Sequence, residues 1–155
     1  RIAERARVVS SWIAPGASVE GTVEGSVVFP GASVRRGAHV TNSVLMNGVV
    51  VGSGATVQNA LVFPHGIAEP AARSGSRAAA TIGERCSVGS RSSAAVNAAY
   101  PEQIRDGLTV IGMGVDLPAG FKVEAGCLVG PGSSTADLRR RKVLRRGQSV
   151  PESCG

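Results

Sequence analysis

Aliphatic residues recur along this chain with a period of six. Val28-Phe29-Pro30-Gly31-Ala32-Ser33 is followed by Val34-Arg35-Arg36-Gly37-Ala38-His39 and then by the shorter Val40-Thr41-Asn42-Ser43-Val44. The register restarts at Leu45-Met46-Asn47-Gly48-Val49-Val50. It continues through Val51-Gly52-Ser53-Gly54-Ala55-Thr56 and Val57-Gln58-Asn59-Ala60-Leu61. A second block begins at Ile111-Gly112-Met113-Gly114-Val115-Asp116, with further hexads at Leu117, Val123 and Val129. Gly31, Gly37, Gly48, Gly54, Gly114, Gly120, Gly126 and Gly132 each stand three places after the aliphatic residue, and a small residue or Phe121 follows.

This spacing has a direct physical reading. Side chains alternate along a strand, so positions i and i+4 of a hexad can both face one interior. The aliphatic residue fills that interior, the residue at i+4 sits near a corner, and the glycine before it permits the turn. Three hexads close one triangular coil. The steps 28 to 34, 34 to 40 and 40 to 45 are six, six and five, and the coil from 45 to 62 repeats them. Helical spacings of three and four are absent. The pattern predicts an all-β chain, a single-stranded left-handed parallel β-helix whose coils stack as parallel strands. Cys86 and Cys127 fall at i+4 of the hexads at Ile82 and Val123, so they are expected to be small inward residues.

The pattern predicts a β-helix over residues 1–134, interrupted twice. Residues 66–81 (GIAEPAARSGSRAAAT) and 94–109 (AAVNAAYPEQIRDGLT) are expected to be excursions from corners, the second with a helical turn around Glu102 to Arg105. Residues 135–155 form a basic tail that leaves the hexad pattern, and a cap over the last coil is expected there. The chain begins at Arg1 rather than Met, which points to a piece of a longer protein or a processed chain.

Composition agrees with a narrow aliphatic interior. Hydrophobic residues make up 43% but aromatics only 3%, and there are 21 glycines. No apolar run approaches the ~20 residues of a membrane span, and no leader is visible, so no membrane partner is expected. Three cysteines without a CxxC pair argue against a disulfide framework or zinc site and for a reducing, cytoplasmic setting. The net charge is +6, and the segment from Arg139 onward carries six cations against Glu152 alone.

No phosphate-cradling loop, dinucleotide fingerprint or nucleophile elbow is present. The histidines are His39, an outward residue beside a turn, and His65, where a turn glycine would stand. Each is read as a surface or corner histidine before a catalytic base, and no metal or catalytic residue is assigned. The run Arg139, Arg140, Arg141, Lys142, Arg145 and Arg146 is the candidate anion site. A phosphorylated-metabolite effector suits guanidinium forks, whereas a solvated cap is the plainer reading. Few aromatics are available for base stacking, so nucleic acid is not expected.

The block Val19-Glu20-Gly21-Thr22-Val23-Glu24-Gly25-Ser26-Val27-Val28-Phe29-Pro30-Gly31, with Asn42-Ser43-Val44-Leu45-Met46-Asn47-Gly48, resembles the C-terminal domain of bacterial glucose-1-phosphate adenylyltransferases (ADP-glucose pyrophosphorylases). Asn97-Ala98-Ala99-Tyr100-Pro101 and Gly107-Leu108-Thr109-Val110-Ile111-Gly112 are similar to an excursion and re-entry in a subset of them. The resemblance covers roughly residues 5–150. It implies a regulatory and oligomerisation domain packed on an N-terminal catalytic domain in a tetramer. The parent enzyme would use ATP and Mg²⁺ to make ADP-glucose and pyrophosphate for glycogen synthesis, with no cofactor held by this chain. The alternatives are the same domain on another sugar-1-phosphate nucleotidyltransferase, or a stand-alone trimeric hexapeptide-repeat acyltransferase or scaffold.

Overall fold

A computed structural model describes residues 1–64, 82–91, 94–131 and 133–151. The chain winds as a parallel β-solenoid of three sheets. The first sheet stacks Arg7–Val9, Thr22–Glu24, His39–Thr41, Thr56–Gln58, Ser87–Val88, Lys122–Val123 and Val143–Leu144 in that order. The second stacks Trp12–Ile13, Val27–Val28, Val44–Leu45, Ala60–Val62, Thr109–Ile111, Leu128–Val129 and Ser149–Val150. The third contains Ser18–Val19, Ser33–Val34 and Val50–Val51, and the bridges Ile2 to Val19, Val51 to Ile82 and Ile82 to Leu117 extend its line. Among the described residues, strands of adjacent coils pair in parallel, with in-register aliphatic partners such as Val40 beside Val57 and Val57 beside Val88.

The interior is the set of i and i+4 residues that the hexads place there. Val19, Val23 and Val28 form one coil's interior layer, Val34, Val40 and Leu45 the next, then Val51, Val57 and Val62, all fully buried. Ala32, Ala38, Val49, Ala55, Cys86, Val115, Phe121 and Cys127 fill the corners at 2% exposure or less. The corner glycines take the expected left-handed conformation, for example Gly31 at φ 74° and Gly37 at φ 73°.

The tail differs from the expected non-repeat cap. Among the described tail residues, Thr135–Arg141 leave the repeat as an α-helix. Ser134 caps it by accepting from the Asp137 N–H, and Leu138 is fully buried where the third sheet would otherwise place an inward aliphatic. Residues 143–150 then rejoin the first two sheets beside Lys122–Val123 and Leu128–Val129. Leu138, Leu144 and Val150 lie six residues apart, so the hexad at Leu144, with Gly147 at its corner, completes a further coil.

The second excursion is present and packs at the corner between the first and second sheets. Its backbone makes one helical turn, with the Ile104 N–H donating to the Tyr100 carbonyl at 2.9 Å, slightly earlier than expected. The excursion expected at 66–81 lies outside the described residues.

Candidate functional site

The basic run is divided by the fold. Arg139, Arg140 and Arg141 occupy the last turn of the helix, where cations offset the partial negative charge of its carbonyl end. Lys142 ends the helix at φ 62°. Arg145 and Arg146 lie beyond Val143–Leu144, on the tight turn at the next corner. The six cations therefore form two exposed groups, not one cluster.

The second group borders a shallow depression of about 270 Å³ lined by Gly89, Ser90, Lys122, Glu124, Ala125 and Arg146. Glu124 accepts the Arg146 backbone N–H at 3.0 Å and approaches the Lys122 ammonium at 3.9 Å. Glu124 thus meets one cation, Lys122, and a backbone N–H of Arg146, so the Lys122 and Arg146 side chains around this single carboxylate give the depression a local excess of positive charge suited to an anion. A wider depression of about 410 Å³ on the same corner, lined by Thr41, Asn42, Gln58, Asn59, Arg91 and Asp106, offers mostly neutral amide and hydroxyl groups.

The remaining candidates are placed plainly. His39 is exposed on the outer side of the first sheet, between Thr22 and Thr56 in the register. His65 lies outside the described residues. Burial pushes the thiols of Cys86 and Cys127 above their ordinary pKa, partly opposed by backbone hydrogen bonds. Their Sγ atoms donate to the carbonyls of Pro118 and Arg145 at 3.0 and 2.9 Å. Both are therefore interior packing groups held away from the reactive thiolate form. Among the described residues, no three His, Cys, Asp or Glu side chains gather into a metal site. No helix among them is long and apolar enough to cross a membrane.

One feature was missed in the sequence. The outer side of the second sheet is apolar along nearly its whole length. Trp12, Val27, Val44, Leu61, Val110 and Leu128 form an outward column, each adjacent in register to the next. Trp12 is 54% exposed and meets the Phe29 ring edge-on, with centroids 5.9 Å apart. Phe29, Met46 and Phe63 form a second, half-buried outward column beside it. The first sheet, by contrast, presents Arg7, Glu24, His39, Gln58 and Lys122. The legible signal was the apolar doublet before each position of the second sheet: Trp12-Ile13, Val27-Val28, Val44-Leu45, Leu61-Val62, Val110-Ile111 and Leu128-Val129. A strand covered on one face alternates, whereas one apolar on both faces reads as a continuous run.

Comparison with known proteins follows the same lines. A family model described as GlmU-like, C-terminal hexapeptide, matches residues 2–80. The glucose-1-phosphate adenylyltransferase of Bacillus cereus (strain Q1) is 43% identical over 61 residues, covering 39% of this chain and 16% of the relative. The enzymes of that name from Bacillus thuringiensis (strain Al Hakam) and Bacillus mycoides (strain KBAB4) are 41% identical over 61 residues, with the same coverage. The matched segment thus spans about a sixth of these relatives' length. No solved structure gives a significant match.

Proposed function

The chain belongs to the GlmU-like C-terminal hexapeptide family, and on that premise we propose that it is the assembly and regulatory β-helix of a glucose-1-phosphate adenylyltransferase. The observation that carries this reading is the apolar outer side of the second sheet. A solenoid that served only as an isolated spacer would have no reason to keep uncharged aliphatics along an entire outer face. Similarity to three adenylyltransferases supports the choice of parent. On this reading the ATP- and Mg²⁺-dependent joining of glucose 1-phosphate to the nucleotide belongs to polypeptide outside the matched segment. This chain supplies assembly and a response to phosphorylated metabolites.

A fusion tests the reading. The part of the Bacillus cereus (strain Q1) enzyme preceding its hexapeptide segment is joined to this chain, and ADP-glucose formation is measured with ATP, Mg²⁺ and glucose 1-phosphate. The fusion is expected to be active and assembled, and the chain alone inactive. A fusion no better than the truncated relative rejects the proposal.

The effector would bind at the basic end, and the shared depression makes Arg146 and Lys122 its first contacts. Calorimetric titration with fructose bisphosphate, AMP and phosphate is the measurement. Binding is expected to fall at least tenfold in a Lys122→Ala, Arg145→Ala, Arg146→Ala variant. Binding that is absent in wild type, or equal in both, makes the run a solvated cap.

A further inference from the structure

Independently of the parent enzyme assigned above, we propose that the wider depression at the corner between the first and second sheets binds an uncharged saccharide. Its lining, the space kept clear for a ligand and its charge carry the inference.

The lining residues Thr41, Asn42, Gln58, Asn59, Arg91 and Asp106 are all polar. Thr41 and Gln58 are register partners on neighbouring strands, and Asn42 and Asn59 follow them at the turn. Arg91 and Asp106 stand where the chain leaves for the second excursion and where it returns. The Asn59 amide donates to the Asp106 carbonyl at 3.0 Å, which ties floor to wall and leaves the Asn59 side-chain oxygen to accept. Among the described residues, no hydrogen bond occupies the Thr41 hydroxyl, the Asn42 and Gln58 amides or the Arg91 guanidinium.

The backbone keeps this space clear. Asn42, Asn59 and Asp106 sit at φ 47°, 48° and 56°, and strain of this kind gathers at ligand sites. The turn itself does not require an amide, since Ser10 and Gly25 make it on the first two coils at φ 47° and 56°. Gly25 leaves room for the Asn42 side chain, whose oxygen lies 2.6 Å from where a Cβ would stand. A Cβ at Gly89 would stand 2.0 Å from the Gln58 carbonyl oxygen, so the next coil sends no side chain over Gln58.

Chemistry identifies the ligand. A sugar hydroxyl both donates and accepts, as an amide group and a threonine hydroxyl do, and a carboxylate can accept from two adjacent hydroxyls. Within the lining one guanidinium balances one carboxylate, and Arg105, outside it, approaches Asp106 at 3.8 Å. The lining therefore lacks the excess of cations found around Lys122 and Arg146. It also offers no ring on which a nucleobase could stack. At about 410 Å³ the depression falls within the ~300–1,000 Å³ of small-molecule sites, with room for a hexose ring.

Amide-resolved nuclear magnetic resonance titration of the chain with glucose, maltotriose, glucose 6-phosphate and glycerol tests the site. Each is taken to about 50 mM, well beyond a dissociation constant of ~1 mM. Saturable shifts at residues 41–42, 58–59, 91 and 106 are expected with both sugars and not with glycerol. Tighter binding of maltotriose assigns a glucan chain and equal binding a free hexose, and both fit a saccharide site. Asn42→Gly with Gln58→Ala is expected to weaken binding at least tenfold and to keep the fold, because Gly25 already makes the equivalent turn. Lys122→Ala with Arg146→Ala is expected to leave sugar binding unchanged. The site is overturned by an absence of saturable shifts, by the same shifts with glycerol, or by equal binding in the Asn42→Gly, Gln58→Ala variant. A tenfold preference for glucose 6-phosphate at these residues overturns the uncharged ligand. Each of these failures leaves the assembly role standing.

Discussion

The two halves of the solenoid close the same corner by different means. Between the first and second sheets, the N-terminal coils turn in five residues, from Val8 to Ile13, Val23 to Val28, Val40 to Leu45 and Val57 to Val62. The C-terminal coils take six, from Val123 to Val129 and Leu144 to Val150. In the short corners, Ser10, Asn42 and Asn59 sit at φ 47°, 47° and 48°, and Gly25 at 56°. The residue that follows is buried at Ser26, Ser43 and Ala60 and half-buried at Ser11. The Ser11, Ser26 and Ser43 hydroxyls accept the N–H of the next coil's Ser26, Ser43 and Ala60 at 3.1, 3.0 and 3.1 Å. Each hydroxyl donates back to the carbonyl two residues earlier. In the long corners, Gly126 and Gly147 turn at φ 74° and 75°, and the second excursion roofs them. A shortened turn therefore needs a side chain to satisfy its buried N–H groups. A full-length glycine turn leaves room for an inserted segment.

The largest expected effect ignores this division, because the inward positions are equivalent in both halves. Val51→Asp and Val123→Asp each place a carboxylate at a site with no exposure. Either is expected to cost more than about 4 kcal/mol. Ser53→Asp, on a turn, is expected to change stability by less than about 0.5 kcal/mol. Thermal melting of the three variants is the check. Similar shifts for Val51→Asp and Ser53→Asp would show that the register is misplaced.

Smaller changes separate the halves. Asn97 is fully buried under the excursion. Its amide donates to the Gly126 and Gln148 carbonyls at 2.9 and 3.3 Å. Its oxygen accepts from the N–H groups of Ala99 and Tyr100 and from the Ser149 hydroxyl. Asn97→Ala strands several of these groups and is expected to cost about 3 kcal/mol. Hydrogen exchange should quicken at residues 94–107 and leave the N-terminal coils unchanged. Ser43→Ala removes one rung of the serine ladder and leaves the Ala60 N–H without its partner, at a cost of about 1–2 kcal/mol. Its faster exchange should appear around Ala60 and spare the excursion. Identical exchange patterns in the two variants would mean that the corners are not independent.

The hexad period carried most of this fold, because one aliphatic and one corner residue per six is a demand of the interior itself. Val34, Val40 and Leu45 could be placed inside from spacing alone. The five-residue step was also visible, but not its cause, since the serine ladder links residues about seventeen apart through hydrogen bonds. The last coil was hidden because nine residues separate Val129 from Leu138, and a helix supplies the missing edge. The basic run was legible as a cluster of sequence. Its division between a helix end and a turn was not, because the strand Val143–Leu144 carries the chain from one corner to the next. The outward apolar columns are hidden for a different reason: in a doublet such as Val27-Val28 or Leu61-Val62 the hexad period demands only the second, inward residue and leaves the first free to be polar or apolar.

The smallest expected effect is a pH dependence confined to the C-terminal half. The column of Ser11, Ser26, Ser43 and Ala60 continues to Thr109 and then Cys127. Where the serine hydroxyls accept an N–H from the coil above, Cys127 instead donates its thiol proton to Arg145 there. Cys86 likewise donates to Pro118 and occupies the corner position that Ala38 and Ala55 fill in earlier coils. Burial raises both thiols above their ordinary value of about 9.0, and the Glu124 charge adds to this at Cys127. A raised folded-state pKa means that the folded chain holds these protons where the unfolded chain has released them. The stabilisation is complete below pH 9 and is lost as the pH climbs through the raised values. Melting temperature is therefore expected to fall as the pH rises above about 9, and to fall less steeply in a Cys86→Ala, Cys127→Ala variant. Every other ionisable group is common to both proteins, so the difference between the two slopes isolates the thiols. Equal slopes would mean that the thiols ionise as readily inside the solenoid as in the unfolded chain.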